Sequence, residues 1–384
     1  MQRREFMRLS GAAMAGLSVG ACLPVRSRPA WPARAEGQGL LAVEGVPGPP
    51  FSEAQIRAAL TRAIDAVGGL AFLAQARRGG PRRTVLVKPA LNSSQPFPAT
   101  TSPLSIAHVV RLIKERDPDA RVIVGDRSGI FWPTGTLHNF EATGIARAVA
   151  EERRAFAARV GGRFAEKGAD IELVDLGDEG WVGVHPAGAD HWRFGFGVPR
   201  LLDRVTDIVL LPRCSAHVLT GHTMALKLQV GLCRPADRMA FHYLAMFAPE
   251  MGALMTELNL AIADRIRLIV MDATYAQGAL GPDFGPSFPA GLVLASRDLV
   301  TADVAGLAAM RLGYRLRDVG AHARAARIAG VGPWRGSFVR EAVERGLGVT
   351  APEQIQLVHH AGVDASALGA LLVDRRGHGF ESPI

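Results

Sequence analysis

The sequence predicts an α/β fold in which a mostly parallel sheet is flanked by helices in Rossmann-like layers. Two observations indicate it. Short, continuously apolar segments alternate with amphipathic helical segments, and the clearest of them form a strand–loop–helix–strand unit. Such units cross over right-handedly into parallel sheets. The chain has 384 residues, 48% of them hydrophobic, so it can build one large domain or two closely packed α/β lobes.

The first 35 residues have the pattern of a twin-arginine export signal. Arg3 and Arg4 precede a small-residue, apolar run from 9 to 25, which is shorter than the roughly 20 residues of a membrane-spanning helix. An ordinary transmembrane anchor is the alternative. The Ala-Arg-Ala sequence at residues 33–35 favours cleavage after Ala35, whereas lipidation at Cys22 would tether the protein to a membrane. We therefore expect a periplasmic protein with the twin-arginine export machinery as a partner.

The positive charge of the chain is concentrated in this signal. The whole chain has a net charge of +8, but six of its 44 Lys and Arg and only one of its 36 Asp and Glu lie in the first 35 residues, which leaves +3 for the remainder. A chain so near neutrality lacks the broad basic surface of a nucleic-acid-binding protein. We expect no nucleic-acid partner, and membrane contact only through the signal or a lipidated Cys22.

An N-terminal region precedes the predicted core. Residues 36–51 are rich in Gly and Pro and are expected to form an extended lead-in, and residues 52–67 have the spacing of an amphipathic helix. Ser52 and Gln55 can form its capping box. Residues 36–83 are therefore interpreted as a lead-in and a helix.

The α/β core is predicted over residues 84–312. It opens with strand 84–88, a helix that begins at Ser102 and Pro103, and strand 121–125. The later strands are predicted at 170–176, 207–211, 265–271 and 290–295, and the later helices at 139–167, 198–204, 251–263 and 299–312. Residues 177–197 are expected to be irregular or a hairpin.

Residues 313–384 are expected to form a C-terminal extension. It contains a helical segment at 337–345 and a last strand within 352–358. Gly and Pro are spread through the whole chain, so no linker divides it.

The densest set of polar side chains follows the strand at 207–211. Open α/β sheets place their ligand sites beyond the carboxyl ends of the strands, where these side chains are expected to lie. The candidates after this strand are Arg213, His217, Thr223, Lys227, Arg238 and His242. The candidates after the other strands are Lys88, Asn92, Asp126 and Asp272.

One interpretation of this set is a site for a small anion. The cations Lys88, Arg213, Lys227 and Arg238 would bind a phosphate or carboxylate, and His217 would act as a general acid or base. The candidate catalytic residues are then His217, Lys227 and Asp126. The candidate binding residues are Lys88, Asn92, Arg213, Thr223, Arg238, His242 and Asp272.

A metal site is a second interpretation of the same residues. The histidines at 217, 222 and 242 would supply ligands, and Asp126 or Asp272 would complete the set. A third interpretation gives the polar groups no ligand, because buried loops need hydrogen bonds to satisfy their backbone. The cofactor therefore remains unassigned, with a metal as one candidate.

The two cysteines of the mature chain allow several roles. Cys214 and Cys233 lack the spacing of an iron–sulfur site, and in an oxidising periplasm they would either pair or remain buried thiols. Cys214 follows Arg213, whose charge would favour a thiolate. No Gly-x-Ser-x-Gly elbow accompanies the neighbouring Ser215.

Several blocks together resemble the domain of unknown function 362 family, over about residues 84–312. They are VLVKPALN at 85–92, TTSP at 100–103, VIVGD at 122–126, residues 213–231 with His217, Thr223 and Lys227, and the Gly–Pro loop near 281 followed by ASRD at 295–298, with a weaker echo at 346–348 and 352–358. The resemblance implies an α/β fold but no settled reaction.

The chain departs from the family pattern at three points. The usual Lys-x-His is Ser215-Ala216-His217 here, and the Lys-Asn that commonly follows Ala-Leu is Lys227-Leu228. Many relatives carry a ferredoxin-like cysteine cluster that this chain lacks, so we expect no iron–sulfur cluster.

Two hypotheses about function remain open at this point. The first is a periplasmic enzyme that acts on a small anionic substrate with histidine acid–base chemistry, with or without a metal or other cofactor. The second is a non-catalytic periplasmic protein that binds its ligand in the same cationic cleft.

Overall fold

A computed structural model describes residues 25–28, 39–74, 82–129, 134–160, 170–244, 250–316 and 327–376 of the chain. These residues contain thirteen strands. They are β1 (Val25–Arg28), β2 (Leu40–Gly45), β3 (Thr84–Pro89), β4 (Arg121–Asp126), β5 (Ile171–Asp175), β6 (Trp181–Pro186), β7 (Phe196–Pro199), β8 (Asp207–Leu211), β9 (Arg213–His217), β10 (Gly221–Thr223), β11 (Ile266–Gln277), β12 (Ser287–Ser296) and β13 (Gln356–His359).

The α-helices of the described residues lie between these strands. They are α1 (Glu53–Ala66), α2 (Pro103–Arg116), α3 (Thr136–Ala142), α4 (Ile145–Val160), α5 (Pro235–Met239), α6 (Glu250–Glu257), α7 (Leu299–Leu316), α8 (Arg327–Gly330), α9 (Ser337–Glu344) and α10 (Ala365–Leu372). None of them is long and apolar enough to cross a membrane.

Five parallel strands form one side of a ten-stranded sheet, with β5 at its edge. Their spatial order is β5-β4-β3-β8-β11. This is the 3-2-1-4-5 order of doubly wound folds, in which the chain first builds outward on one side of its first strand and then returns to the other side. The order reverses between β3 and β8, so the carboxyl ends of these two strands border the crevice where such folds bind ligands.

The sheet continues beyond β11 with strands of mixed direction. The antiparallel β12 pairs with β11 and with β2, and β13 runs parallel to β2 at the outer edge. The 313–384 extension and the N-terminal region thus complete one sheet with the predicted core, so the chain forms one domain rather than two lobes. The predicted α/β class, with a mostly parallel sheet between helices, is confirmed.

Both faces of the sheet are covered because the strand residues alternate between two hydrophobic cores. Val85 and Val87 face the core under α1, α2 and α4, whereas Leu86 faces the core under α6, α7 and α9. A strand buried on both faces is apolar at every position, which is the pattern that the sequence shows for residues 84–87.

The local signals for the first two helices are confirmed. Ser52 and Gln55 form both bonds of a capping box at the start of α1. Ser102 accepts a hydrogen bond from the Ser105 amide, with Pro103 at the first position of α2. These short-range bonds satisfy amides at helix starts, so a local sequence is sufficient to predict them.

Four local predictions need correction. The lead-in at 36–51 contains β2, which lies inside the sheet because β13 and β12 supply partners distant in sequence. The strand predicted at 265–271 extends to Gln277, because its second half pairs with β9 and β12. The single helix predicted at 139–167 is α3 followed by α4, with residues 161–169 outside the described residues. The short helix predicted at 198–204 is the 3-10 turn Arg200–Asp203.

The region from 177 to 197 forms a hairpin rather than irregular structure. Strands β6 and β7 pair antiparallel, and β1 pairs in parallel with the other edge of β6. The other residues of the predicted export signal, 1–24 and 29–35, lie outside the described residues. Cleavage after Ala35 would remove β1 from this small sheet.

Candidate functional site

A cavity of about 360 Å³ lies at the point where the strand order reverses. Its walls come from the loops after β3 and β4, from residues 213–242, and from the Gly-Pro loop at 280–284. The volume falls in the range of about 300–1,000 Å³ that is typical of small-molecule sites. The fold therefore places the cavity where ligand sites of this class are found.

Most of the residues proposed from the sequence line this one cavity. The eight that do are Asn92, Asp126, Arg213, His217, Thr223, Lys227, Arg238 and His242. Lys88 and Asp272 are buried and do not line it.

Lys88 forms a buried ion pair beneath the cavity. Its Nζ lies 2.7 Å from Oδ1 of Asp126. The same Oδ1 accepts the Arg127 amide, and Oδ2 accepts the Leu91 amide. Burial lowers the pKa of Lys88 and raises the pKa of Asp126, and the attraction between the two charges opposes both shifts. A Cβ on Gly231 would lie 2.1 Å from Oδ1 of Asp126, so only glycine fits there. The pair holds the ends of β3 and β4 together.

Asp272 also has a structural position. Its carboxylate accepts hydrogen bonds from Ser105 Oγ at 2.6 Å, from the Thr274 amide and from Thr274 Oγ1. It joins α2 to β11, and these three bonds account for its burial. The expectation that it faces the ligand is therefore not met in this geometry.

The guanidinium of Arg238 is occupied by backbone carbonyl groups. It donates to Cys233 at 2.8 Å, to Ser128 at 2.7 Å and to Arg127 at 3.1 Å. Burial lowers its pKa. Arg238 thus connects the loop after β4 to the segment that follows Lys227, and it contributes positive charge to the cavity wall.

Arg213 brings a second buried guanidinium to the cavity. It donates to the carbonyls of Ala99 and Pro282, and its Nε has no partner among the described residues. Burial lowers the pKa of Arg213 to about 10, and the carboxylate of Asp283 opposes the shift. The side chain therefore remains cationic at neutral pH.

Lys227 has the most unusual environment in the cavity. Its side chain is only 8% exposed, and within the described residues its ammonium has neither a hydrogen-bond partner nor an ion pair. Burial lowers its pKa well below the ordinary lysine value, the charge of Arg213 lowers it further, and Asp283 opposes the shift. An amine in such surroundings loses much of the solvation that stabilises its charge, which favours the neutral form.

Lys227 does not lie in an α-helix. Met224–Lys227 form a turn, and a 3-10 helix covers Leu228–Leu232. Asp303 of α7 stabilises this turn, because its Oδ1 accepts the Leu226 amide at 3.1 Å. Its Oδ2 lies 3.2 Å from His222 Nε2, so the pair also fixes β10 ahead of the turn.

His217 has a tautomer that its contacts define. Its Nδ1 accepts the amides of Leu219 at 3.2 Å and Thr220 at 3.3 Å. The ring proton of the neutral form is therefore on Nε2, which can donate to a ligand. Burial, followed by the charges of Lys227 and Arg213, lowers the pKa of His217 well below its usual value.

His242 is held neutral in a similar way. Burial lowers its pKa to about 3, with smaller effects from Lys227 and Arg238. Both histidines of the cavity are therefore uncharged at physiological pH, so they add no positive charge to it.

The histidine–aspartate metal set is not assembled in the described part of the chain, which contains no group of three His, Cys, Asp or Glu able to hold a metal ion. His222 is fully buried against Asp303 and Phe338, away from the cavity lining. The carboxylate of Asp126 forms an ion pair with Lys88, and the carboxylate of Asp272 accepts hydrogen bonds from Ser105 and Thr274. The spacing of the histidines in the sequence could not predict these partners.

Within the described residues, Cys214 and Cys233 are both free thiols and both buried. Burial raises the pKa of Cys214, with Asp303 as the next cause, so the thiolate expected beside Arg213 is disfavoured. Ser215 Oγ donates to the Ala216 carbonyl at 2.7 Å and lies 3.1 Å from Gln277 Oε1. Neither residue has the environment of a nucleophile.

Asp283 is a cavity residue that the sequence analysis did not single out. Its carboxylate accepts Asn92 Nδ2 at 2.7 Å and Ser93 Oγ at 2.6 Å, so it fixes the Gly-Pro loop to the loop after β3. Asp283 lies in an irregular loop, so no hydrophobic periodicity in the sequence could predict where its side chain lies. Thr223, by contrast, pairs with Ser215 across β9 and β10 at the cavity wall.

The fold and the cavity together define an open α/β protein with a cavity at its topological switch point. Residues 85–308 match the model of the family described as "Domain of unknown function (DUF362)". The match covers more than half of the chain, and the chain belongs to this family. No curated protein and no solved structure matches the chain significantly.

Proposed function

We propose that the protein is an enzyme that binds a small anionic substrate in this cavity and transfers a proton to or from it. Lys227 is the proton-transfer group, and His217 donates a hydrogen bond through Nε2. The observation that carries the proposal is the buried amine of Lys227, which has no partner among the described residues. The proposal moves the acid–base role expected of His217 to Lys227.

The charge balance of the cavity supports an anionic ligand. The pairs Lys88–Asp126 and Arg127–Asp175 are each neutral overall. Arg213 and Arg238 remain as cations beside the amine of Lys227, and Asp283 is the other carboxylate that the described residues contribute to the lining. Buried charges are normally compensated, so a carboxylate or phosphate would complete the site. The amine of Lys227 is the available donor, and Arg213 adds positive charge beside it.

Lys227 suits proton transfer because its environment favours the neutral amine. A lysine with an ordinary pKa is almost fully protonated at neutral pH and cannot accept a proton. Burial and Arg213 shift the pKa of Lys227 downward. Asp126, the third candidate catalytic residue, is bound to Lys88 and two amides, so we assign it to positioning.

Turnover distinguishes this enzyme from a non-catalytic binding protein. Wild-type protein is incubated in D₂O with a panel of small carboxylates and phosphate monoesters, and NMR follows product formation and deuterium incorporation. We expect turnover of at least one compound, its loss in Lys227→Met, and a decrease of about tenfold in His217→Ala. Binding of acetate or phosphate with no turnover across the panel would contradict the enzyme and favour the binding protein.

Anion binding should be coupled to proton uptake. An anion beside Lys227 stabilises the charged amine, so the pKa of Lys227 rises on binding. Acetate affinity should therefore decrease as pH increases between the pKa of the free protein and that of the complex. Calorimetry of acetate binding at pH 8.5, in two buffers of different ionisation enthalpy, measures the proton uptake. An equal heat in both buffers would contradict the role of Lys227.

We also propose export to the periplasm by the twin-arginine route. The support is the Arg3-Arg4 pair and the apolar run that follows it. The intact mass of protein from the periplasmic fraction tests this proposal. Loss of residues 1–35 is expected, and a diacylated Cys22 would indicate the lipoprotein alternative. A full-length cytoplasmic product would contradict both.

A further inference from the structure

The mouth of the cavity carries an unusual concentration of exposed apolar side chains. Val218, Leu280 and Phe284 line the cavity and are 51%, 51% and 55% exposed. Seven large hydrophobic side chains are exposed in the described part of the chain, and these are three of them. Single exposed apolar residues are normal, but a group at the rim of a cavity whose wall carries buried Arg and Lys side chains indicates a binding surface.

Leu280 adds an independent observation, since its backbone is in the left-handed region with φ 56°. No other non-glycine residue of the described chain has a positive φ. Leucine adopts this conformation at a cost that glycine and asparagine largely avoid. The conformation of the turn therefore does not explain why leucine occupies position 280. Packing does not explain it either, because the side chain is half exposed. A strained residue beside a cavity indicates function.

The loop that carries Leu280 is held firmly enough to maintain this strain. The Gly278 amide donates to the Pro286 carbonyl at 2.8 Å, and the Val218 amide donates to the Gly281 carbonyl at 3.0 Å. Asn92 and Ser93 bind Asp283 from the opposite side. The rim is thus a preformed apolar surface.

We infer that the ligand is a small amphiphilic anion. Its carboxylate or phosphate head binds at Lys227 and Arg213, and its short apolar chain lies at the mouth against Val218, Leu280 and Phe284. The inference rests on the proposed anion site and specifies its substrate class. The chemical basis is complementarity: the buried wall presents uncompensated cations, whereas the rim presents hydrocarbon to water.

Chain-length series test the inference on the full-length protein. Alkyl carboxylates from acetate to octanoate, and monoalkyl phosphates of matching length, are titrated by calorimetry or by NMR. In at least one series the affinity of the wild type is expected to increase about threefold to fourfold per methylene over the first few carbons, and then to level off beyond the rim. The series with the tighter shortest member identifies the head group.

Leu280→Asn is the decisive variant, because asparagine tolerates the left-handed backbone but removes the apolar surface. The gain per methylene should fall to less than twofold, while acetate or phosphate affinity stays within about twofold of wild type. Phe284→Ser provides a second test if the first variant folds poorly. Phe194→Ser is the matched control, since Phe194 is 91% exposed outside the cavity, and it should retain the full gain.

Two results separate the inference from the proposed function. If acetate or phosphate binds but affinity does not increase with chain length, the amphiphilic ligand is wrong and the anion site stands. If the gain persists unchanged in Leu280→Asn and Phe284→Ser, the apolar chain does not lie against this rim; the inference is then wrong and the anion site stands. If no member of either series binds, both the inference and the anion site fail.

Discussion

Lys227→Met is expected to weaken anion binding by about 10- to 100-fold and, at the same time, to stabilise the unliganded protein by about 1–3 kcal/mol. The first effect is the loss of a charge-assisted hydrogen bond to the ligand. The second arises because methionine has a similar volume and removes a buried amine that has no partner among the described residues. Calorimetry with acetate and phosphate measures the first effect, and urea unfolding measures the second.

The stability gained in Lys227→Met should depend on pH. Burial and Arg213 lower the pKa of Lys227 in the folded protein, whereas the unfolded chain has the ordinary value of about 10.4. Between these two values the unfolded state binds more protons, so wild-type stability increases with pH. The advantage of Lys227→Met should therefore be largest at low pH and should diminish toward pH 10.

Lys114→Met is the matched control for this prediction. Lys114 is also buried, but its ammonium donates to the carbonyls of Pro118 and Ala120 and lies over the Phe156 ring. Its replacement should destabilise the protein by about 1–3 kcal/mol and leave anion affinity unchanged. A destabilised Lys227→Met variant with wild-type affinity would contradict our interpretation of the cavity.

Asp126→Asn is expected to destabilise the protein by about 3–5 kcal/mol. The substitution leaves the ammonium of Lys88, which is fully buried, without its carboxylate partner at 2.7 Å. Breaking a buried pair costs far more than the pair contributes, because the remaining charge stays desolvated. Urea unfolding at pH 7 measures the loss.

The double variant Lys88→Met/Asp126→Asn should recover most of that loss, because no charge remains buried. Asp272→Asn is the control for replacing a buried carboxylate, since Asp272 accepts bonds from Ser105 and Thr274 and has no ion pair within the described residues. Asp272→Asn should lower the free energy of unfolding by about 1–2 kcal/mol. Equal losses in Asp126→Asn and Asp272→Asn, or no recovery in the double variant, would contradict the ion-pair argument.

The class of fold could be predicted because its signals are local. The continuous apolar strand at Thr84–Pro89, the cap of α2 at Ser102 and the alternation of strands with helices each depend on residues near in sequence. The pairing of β2 with β12 and β13 could not be predicted, because a Gly- and Pro-rich segment becomes a strand only when partners from residues 287–359 are present. Propensity is weak where tertiary pairing decides.

The position of the cavity could be predicted, but the partners of the residues around it could not. Ligands of open α/β sheets bind beyond the carboxyl ends of the strands, so we selected polar residues that follow predicted strands. Eight of the selected residues line one cavity. The same principle selected Asp272, which binds Ser105 instead. The metal hypothesis paired histidines by their spacing, whereas the chain places Asp303, distant in sequence, against His222.

The sequence by itself determined the α/β class, the family and the region that forms the cavity, because apolar periodicity, helix caps and residue order at strand ends are properties of the chain. Only the tertiary structure decided which charges are compensated. Lys88 forms an ion pair with Asp126, and Arg238 donates hydrogen bonds to three backbone carbonyl groups. The amine of Lys227 has no partner among the described residues. The reason is physical: desolvation and pairing set the energy of a buried charge, and both depend on groups that folding brings together from distant parts of the chain.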